Sequence, residues 1–124
     1  MRPVPSLVST TRGPVLIIGT GLLGTSLALA LRSGGVKVFL RDSSPTAGRL
    51  AQDLGAGTLI GPDDHCSPSL VIVSTPPDVA DICVVDALIR YPEAVVSDVA
   101  SVKLAVLEGV VEEAERRGLD ITSR

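Results

Sequence analysis

The stretch VLIIGTGLLGTSLALALRSGG, Val15–Gly35, joins a short apolar run to a glycine-rich turn and then to an apolar segment closed by glycine. Val15 to Ile18 reads as a strand buried on both faces, and Leu22 to Ser33 has helical length with Gly34 as its stop. Between them, Gly19-Thr20-Gly21-Leu22-Leu23-Gly24 fits G-x-G-x-x-G in the strand-turn-helix context that this motif requires. Each glycine has its own physical task. Gly19 permits the tight turn, Gly21 lacks a Cβ where a pyrophosphate approaches the backbone, and Gly24 lets helix and strand pack closely. The unpaired N–H groups and partial positive charge of the helix start then favour an anion. Residues 19 to 24 are therefore the first candidate cofactor-binding set.

Outward from this segment, apolar runs of strand length alternate with segments of helical length. The pattern predicts strands at Val15–Ile18, Val36–Leu40, Thr58–Ile60, Leu70–Ser74 and Ala94–Ser97. Helices are predicted at Leu22–Ser33, Pro45–Leu54, Pro77–Tyr91 and Ser101–Arg117, with Asp42, Ser44 or Ser101 as N-caps and Gly34, Gly55 and Gly118 as stops. Strict alternation implies right-handed crossovers and a Rossmann-type doubly wound parallel sheet, three layers α/β/α, in the order 3-2-1-4-5. Residues 1–14, with Pro3, Pro5, Gly13 and Pro14, read as a flexible tail, and residues 15–124 as one NAD(P)-binding domain.

Ligands of such sheets bind beyond the carboxyl ends of the strands. After the second strand comes Asp42, about 20 residues beyond the first glycine, where a carboxylate accepts hydrogen bonds from the ribose hydroxyls of an adenine dinucleotide. It favours NAD over NADP, because it repels a 2′-phosphate. Arg41, Ser43, Ser44 and Arg49 argue the other way, since a guanidinium that swings onto a 2′-phosphate offsets that repulsion. After the fourth strand, Ser74, Thr75 and Pro76 border the cofactor, although Pro77 is equally the ordinary first residue of a helix. After the fifth come Asp98, Ser101 and Lys103. Ser101 either orients a substrate hydroxyl or caps the next helix, and Lys103 is either a solvated first-turn lysine or an electrostatic partner.

Rival nucleotide folds fit less well. The acidic residue and alternate glycines of many methyltransferases are missing, and Tyr91, the only tyrosine, has no lysine four positions on. The chain has 124 residues, 45% of them hydrophobic and 20% charged, which suits one soluble domain. A net charge of -3 without a Lys/Arg cluster argues against nucleic acid and anionic membrane as partners. No apolar run has membrane-spanning length, and the opening MRPVPSLVSTTRGP lacks the apolar core of a signal peptide, so a cytoplasmic location is expected. Cys66 and Cys83 have no metal-ligand spacing and read as packing thiols; no metal is expected.

Taken together, GTGLLGTSLALALRSGG, LRDSSP, VSTPP and SDVASVK resemble the amino-terminal half of the prephenate and arogenate dehydrogenases of tyrosine biosynthesis, over about residues 15 to 120. The first three motifs are shared with other reductases of the 6-phosphogluconate dehydrogenase type; D-x-x-S-V-K, Asp98 to Lys103, is the more specific. The resemblance implies oxidative decarboxylation. NAD(P)+ takes a hydride from the ring carbon bearing the hydroxyl, and the ring carboxylate leaves as the product becomes aromatic. It also implies that Ser101 is a catalytic residue, positioning that hydroxyl and the catalytic histidine. The family's histidine lies in a G-H-P-M-x-G segment, and its substrate arginine and dimerisation surface lie in a later helical domain. The only histidine here, His65, falls in GPDDHCSPS and reads as a surface residue. The 124 residues alone are thus expected to bind cofactor but not to be catalytically complete, and a homodimer is expected only through the helical domain. The alternatives are the cofactor domain of another reductase of the 6-phosphogluconate dehydrogenase type and, in a different class, a non-catalytic NAD(H)-sensing module.

Overall fold

The computed structural model describes residues 13–99, 112 and 115–118. Five strands, β1 (Val15–Ile18), β2 (Val38–Arg41), β3 (Thr58–Leu59), β4 (Leu70–Val73) and β5 (Val95–Asp98), form one parallel sheet in the order β3-β2-β1-β4-β5. Three helices connect them: α1 (Leu22–Ser33), α2 (Pro45–Asp53) and α3 (Pro77–Arg90). Fold class and strand order are those that the alternation predicts. The proposed helix Ser101–Arg117, together with Ser101 and Lys103, lies outside the described residues apart from its last few positions.

Strand residues alternate between two cores. Val15, Ile17, Val38, Leu40, Leu70 and Ile72 pack with Ala28 and Leu31 of α1 and Ala51 of α2. Leu16, Val71 and Ile60 pack with Cys66, Ala87 of α3 and Tyr91 on the other face. β4 is buried along its whole length, as is β1 apart from Ile18, which is why both read as unbroken apolar runs. Full burial of each such side chain contributes roughly 1.5–3 kcal/mol.

Element ends shift by one or two residues from the sequence expectation. β2 starts at Val38 because Val36 N–H still donates to Leu31 O at 3.0 Å, closing the end of α1 through the Gly34–Gly35 turn. β5 starts at Val95 because Ala94 N–H is held in a turn by Tyr91 O, 3.0 Å away. Pro14, assigned to the tail, is tied in: its carbonyl accepts from Ser69 N–H at 2.9 Å. The β3–β4 connection contains no helix, so the second face of the sheet beside α3 is closed by loop and side chains.

Candidate functional site

The glycine turn, the tip of β2 and the start of the β4–α3 connection meet at the carboxyl edge of the sheet. Gly19 has φ +98°, and a Cβ there would lie 2.5 Å from Ser74 O. A Cβ on Gly24 would collide with Gly19 O and reach Ser74 Oγ at 3.0 Å. These two glycines are explained by the protein's own packing. Gly21 is not. A Cβ at Gly21 would meet nothing within 4 Å, although the residue sits at the N-cap of α1 with an ordinary φ of -70°.

The start of α1 is electrostatically open. Gly21 offers no side-chain cap and the first turn has no acidic residue, whereas α2 is capped by Ser44, whose Oγ accepts from Ala47 N–H at 3.3 Å. The first intrahelical bond of α1 runs from Thr25 N–H to Gly21 O, so the N–H groups of Leu22, Leu23 and Gly24 precede the hydrogen-bonded ladder. Leu22 and Leu23 are 83% and 51% exposed and form an apolar rim beside those donors.

Asp42 fastens this turn to β2. Its Oδ2 accepts from Thr20 N–H at 2.7 Å and from Thr20 Oγ1 at 2.6 Å, while its Oδ1 accepts from Ser44 N–H at 2.7 Å. Partial burial raises the carboxyl pKa, but the Thr20 hydroxyl, the Ser44 amide and the Thr20 amide outweigh it and hold it below the ordinary carboxylate value. Thr25 Oγ1 completes the clasp by donating to Thr20 O at 2.9 Å. Three donors leave part of the carboxylate's accepting capacity, of about four lone-pair positions, for a further hydroxyl.

Ser74 lies against the glycine turn, its N–H donating to Ile18 O at 2.7 Å. The Thr75 hydroxyl is buried and has no hydrogen-bond partner among the described residues. Pro76 is exposed and serves as the N-cap of α3, and Pro77 is its first residue. Ser43 and Arg49 are exposed, and Asp98 is half-buried at the end of β5. Arg41 points elsewhere: its Nη1 donates to Tyr91 Oη at 2.6 Å on the second face of the sheet. His65 is exposed in the β3–β4 connection. The Thr20–Asp42 clasp and the Arg41–Tyr91 pair have no sequence motif, since each joins residues from separate elements.

The edge thus gathers a cradle open at Gly21, uncapped helix donors, an ionised carboxylate and an unpartnered hydroxyl. No protein-family model matches the chain. The Streptomyces niveus protein named "Probable prephenate dehydrogenase NovF" is 48% identical over 62 residues, which are 50% of this chain and 17% of that protein. A crystal structure of prephenate dehydrogenase from A. aeolicus, in complex with hydroxyphenyl propionate and NAD+, superposes with a TM-score of 0.64 at 27% identity. The chain is a partial homologue of the prephenate dehydrogenases. The superposition covers 73% of this chain and 34% of that one, so the homology spans a minor part of its relatives' length. A crystal structure of L-tryptophan dehydrogenase from Nostoc punctiforme shares the fold, with a TM-score of 0.53 at 13% identity over 91% of this chain. Among the described residues no helix is long and apolar enough to cross a membrane, and no acidic, histidine or cysteine cluster of metal-binding size occurs.

Proposed function

We propose that residues 15–124 form the NAD(P)-binding domain of a prephenate- or arogenate-type dehydrogenase. The observation that carries this reading is the open space at Gly21: the turn keeps a glycine that neither φ nor packing requires, directly before an uncapped helix N-terminus. A dinucleotide diphosphate fits that cradle by size and charge. The N–H groups of Leu22, Leu23 and Gly24 donate to it, and Gly19 and Thr20 shape the turn. The Asp42 carboxylate, ionised and already aligned by Thr20 and Ser44, accepts from the ribose 2′-hydroxyl and sets a preference for NAD over NADP. Ser74, Thr75 and Pro76 border the far half of the cofactor, and the buried Thr75 hydroxyl gains a partner there.

A nicotinamide bound there would supply the hydride acceptor for the substrate carbon that carries the hydroxyl. Asp98 ends β5 at the carboxyl edge of the sheet, and by the family resemblance Ser101 orients the substrate hydroxyl. Catalysis also needs a histidine base. His65 is exposed in the β3–β4 connection and does not supply it, so the 124 residues alone are expected to turn over neither prephenate nor arogenate. A positioned base contributes about 10²- to 10⁴-fold. The exposed position of His65 also supports the second reading, a dinucleotide-binding module without chemistry.

Calorimetric titration with NAD+ tests the common core of both readings. Wild type binds, and Gly21→Val, whose side chain fills the cradle, loses affinity by at least about a hundredfold while its unfolding midpoint stays unchanged. Equal affinity in the two proteins would refute the assignment.

A further inference from the structure

Arg41 belongs to the same strand face as Phe39, which packs in the core beneath α3. Its guanidinium is held there by one hydrogen bond, Nη1 to Tyr91 Oη, with Cζ 5.9 Å from the ring centroid. Nε and Nη2 are buried and find no partner among the described residues. A second guanidinium crowds the same ring: Arg90 Cζ lies 6.0 Å from the Tyr91 centroid, with Nη2 tied to Pro62 O at 2.8 Å. Burying a cation with two donors unmet is costly, and a like charge sharing the ring adds to the cost. Tyr91 therefore retains Arg41 in a position that the guanidinium's own electrostatics oppose.

We propose that Tyr91 is a specificity residue for the dinucleotide: by retaining Arg41 on the second face of the sheet, it withholds from the ribose the one guanidinium adjacent in sequence to Asp42, and so disfavours a 2′-phosphate. The proposal rests on the dinucleotide reading above. The geometry supports it in two ways. The Arg41 backbone is already at the site, since its carbonyl accepts from Gly19 N–H at 2.8 Å, so the side chain is rooted at the tip of β2 beside the glycine turn. And the Asp42 carboxylate, committed to Thr20 and Ser44, has no ion pair with Arg41 to break first. Released, the two unmet donors suit the paired oxygens of a phosphate.

The test measures dissociation constants for NAD+ and NADP+ with wild type, Tyr91→Phe and the double variant Tyr91→Phe/Arg41→Met. Tyr91→Phe keeps the ring and removes the acceptor. It is expected to shift the preference towards NADP+ by about tenfold, the scale of one hydrogen bond to a charged group, and the double variant is expected to lose that gain. A ratio unchanged in Tyr91→Phe, or raised equally in the double variant, would overturn the proposal while leaving NAD+ binding in place. Failure of wild type to bind either dinucleotide would overturn the dinucleotide reading and this proposal with it.

Discussion

Arg41 and Asp42 are neighbours in sequence, yet the fold treats their charges in opposite ways. The carboxylate of Asp42 receives three hydrogen bonds, two from Thr20 and one from Ser44, and joins the glycine turn to the end of β2. The guanidinium of Arg41 receives one acceptor, Tyr91, and keeps Nε and Nη2 buried without another. A strand sends successive side chains to opposite faces, so one residue of separation places the acid at a completed site and the cation in a sparsely polar core. The acid serves the architecture and, in the proposed function, the ligand as well. The cation costs stability in its present place, and its value lies in what it is kept away from.

The largest effect that breaks this contrast is expected at Gly24, on which the completed side depends. Gly24→Val drives a branched side chain into Gly19 O and Ser74, both fixed by the sheet, and should cost about 3 kcal/mol or more in denaturant unfolding. Gly21→Val, three residues away in the same motif, should leave stability unchanged. The motif thus splits into glycines that the fold needs and one that it does not.

A smaller effect is expected at Asp42 itself. Asp42→Asn turns one acceptor atom into a donor facing another donor, and loss of the charge-assisted bonds should cost about 1 kcal/mol, the low end because the group is only partly buried and solvent screens it. The pH dependence has a definite sign. The folded carboxyl pKa lies below its unfolded value, so its contribution is complete above the unfolded pKa of about 4 and is lost as pH falls through the lower folded value. Wild type should therefore lose more stability than Asp42→Asn on acidification below about pH 4; equal losses between urea titrations above and below that pH would remove Asp42 from this role.

The smallest expected effect, and the one of opposite sign, belongs to Arg41. Arg41→Met keeps an apolar stem and removes two unmet donors, so stability should hold or rise, by up to about 1 kcal/mol. Destabilisation of that size would mean that the Tyr91 bond outweighs the buried charge. The contrast between the two adjacent residues would then disappear.

Periodicity made the sheet legible because β1 and β4 are buried runs and each helix carries a proline start or a glycine stop. The ends were less legible, since Val36 and Ala94 carry strand-like side chains but spend their N–H groups on turns. Spacing singles out Asp42 and the three glycines, whereas the different grounds for Gly21 and Gly24 lie in how Gly19 O and Ser74 pack around the turn. Thr20 fits the motif's variable position, and nothing in its neighbours announces that it clasps Asp42. Arg41 reads in the sequence as a cation beside Asp42, but strand alternation and the distant Tyr91 decide which face it occupies.

The register of β1 has a consequence for how the chain assembles. Val15 pairs with Val38 on one side and with Leu70 on the other, so the innermost strand has one nearby partner and one far along the chain. The first pairing encloses α1 and closes a short loop; the second waits until β2, α2 and β3 have been traversed. Loop closure makes the nearer pairing the earlier one, and β4 then completes the wall against which Gly19 and Gly24 fit. The glycine turn is thus expected to take its final shape late, after β1 and β2 have joined, and slowed docking of β4 would delay ligand competence without delaying the first helix–strand unit.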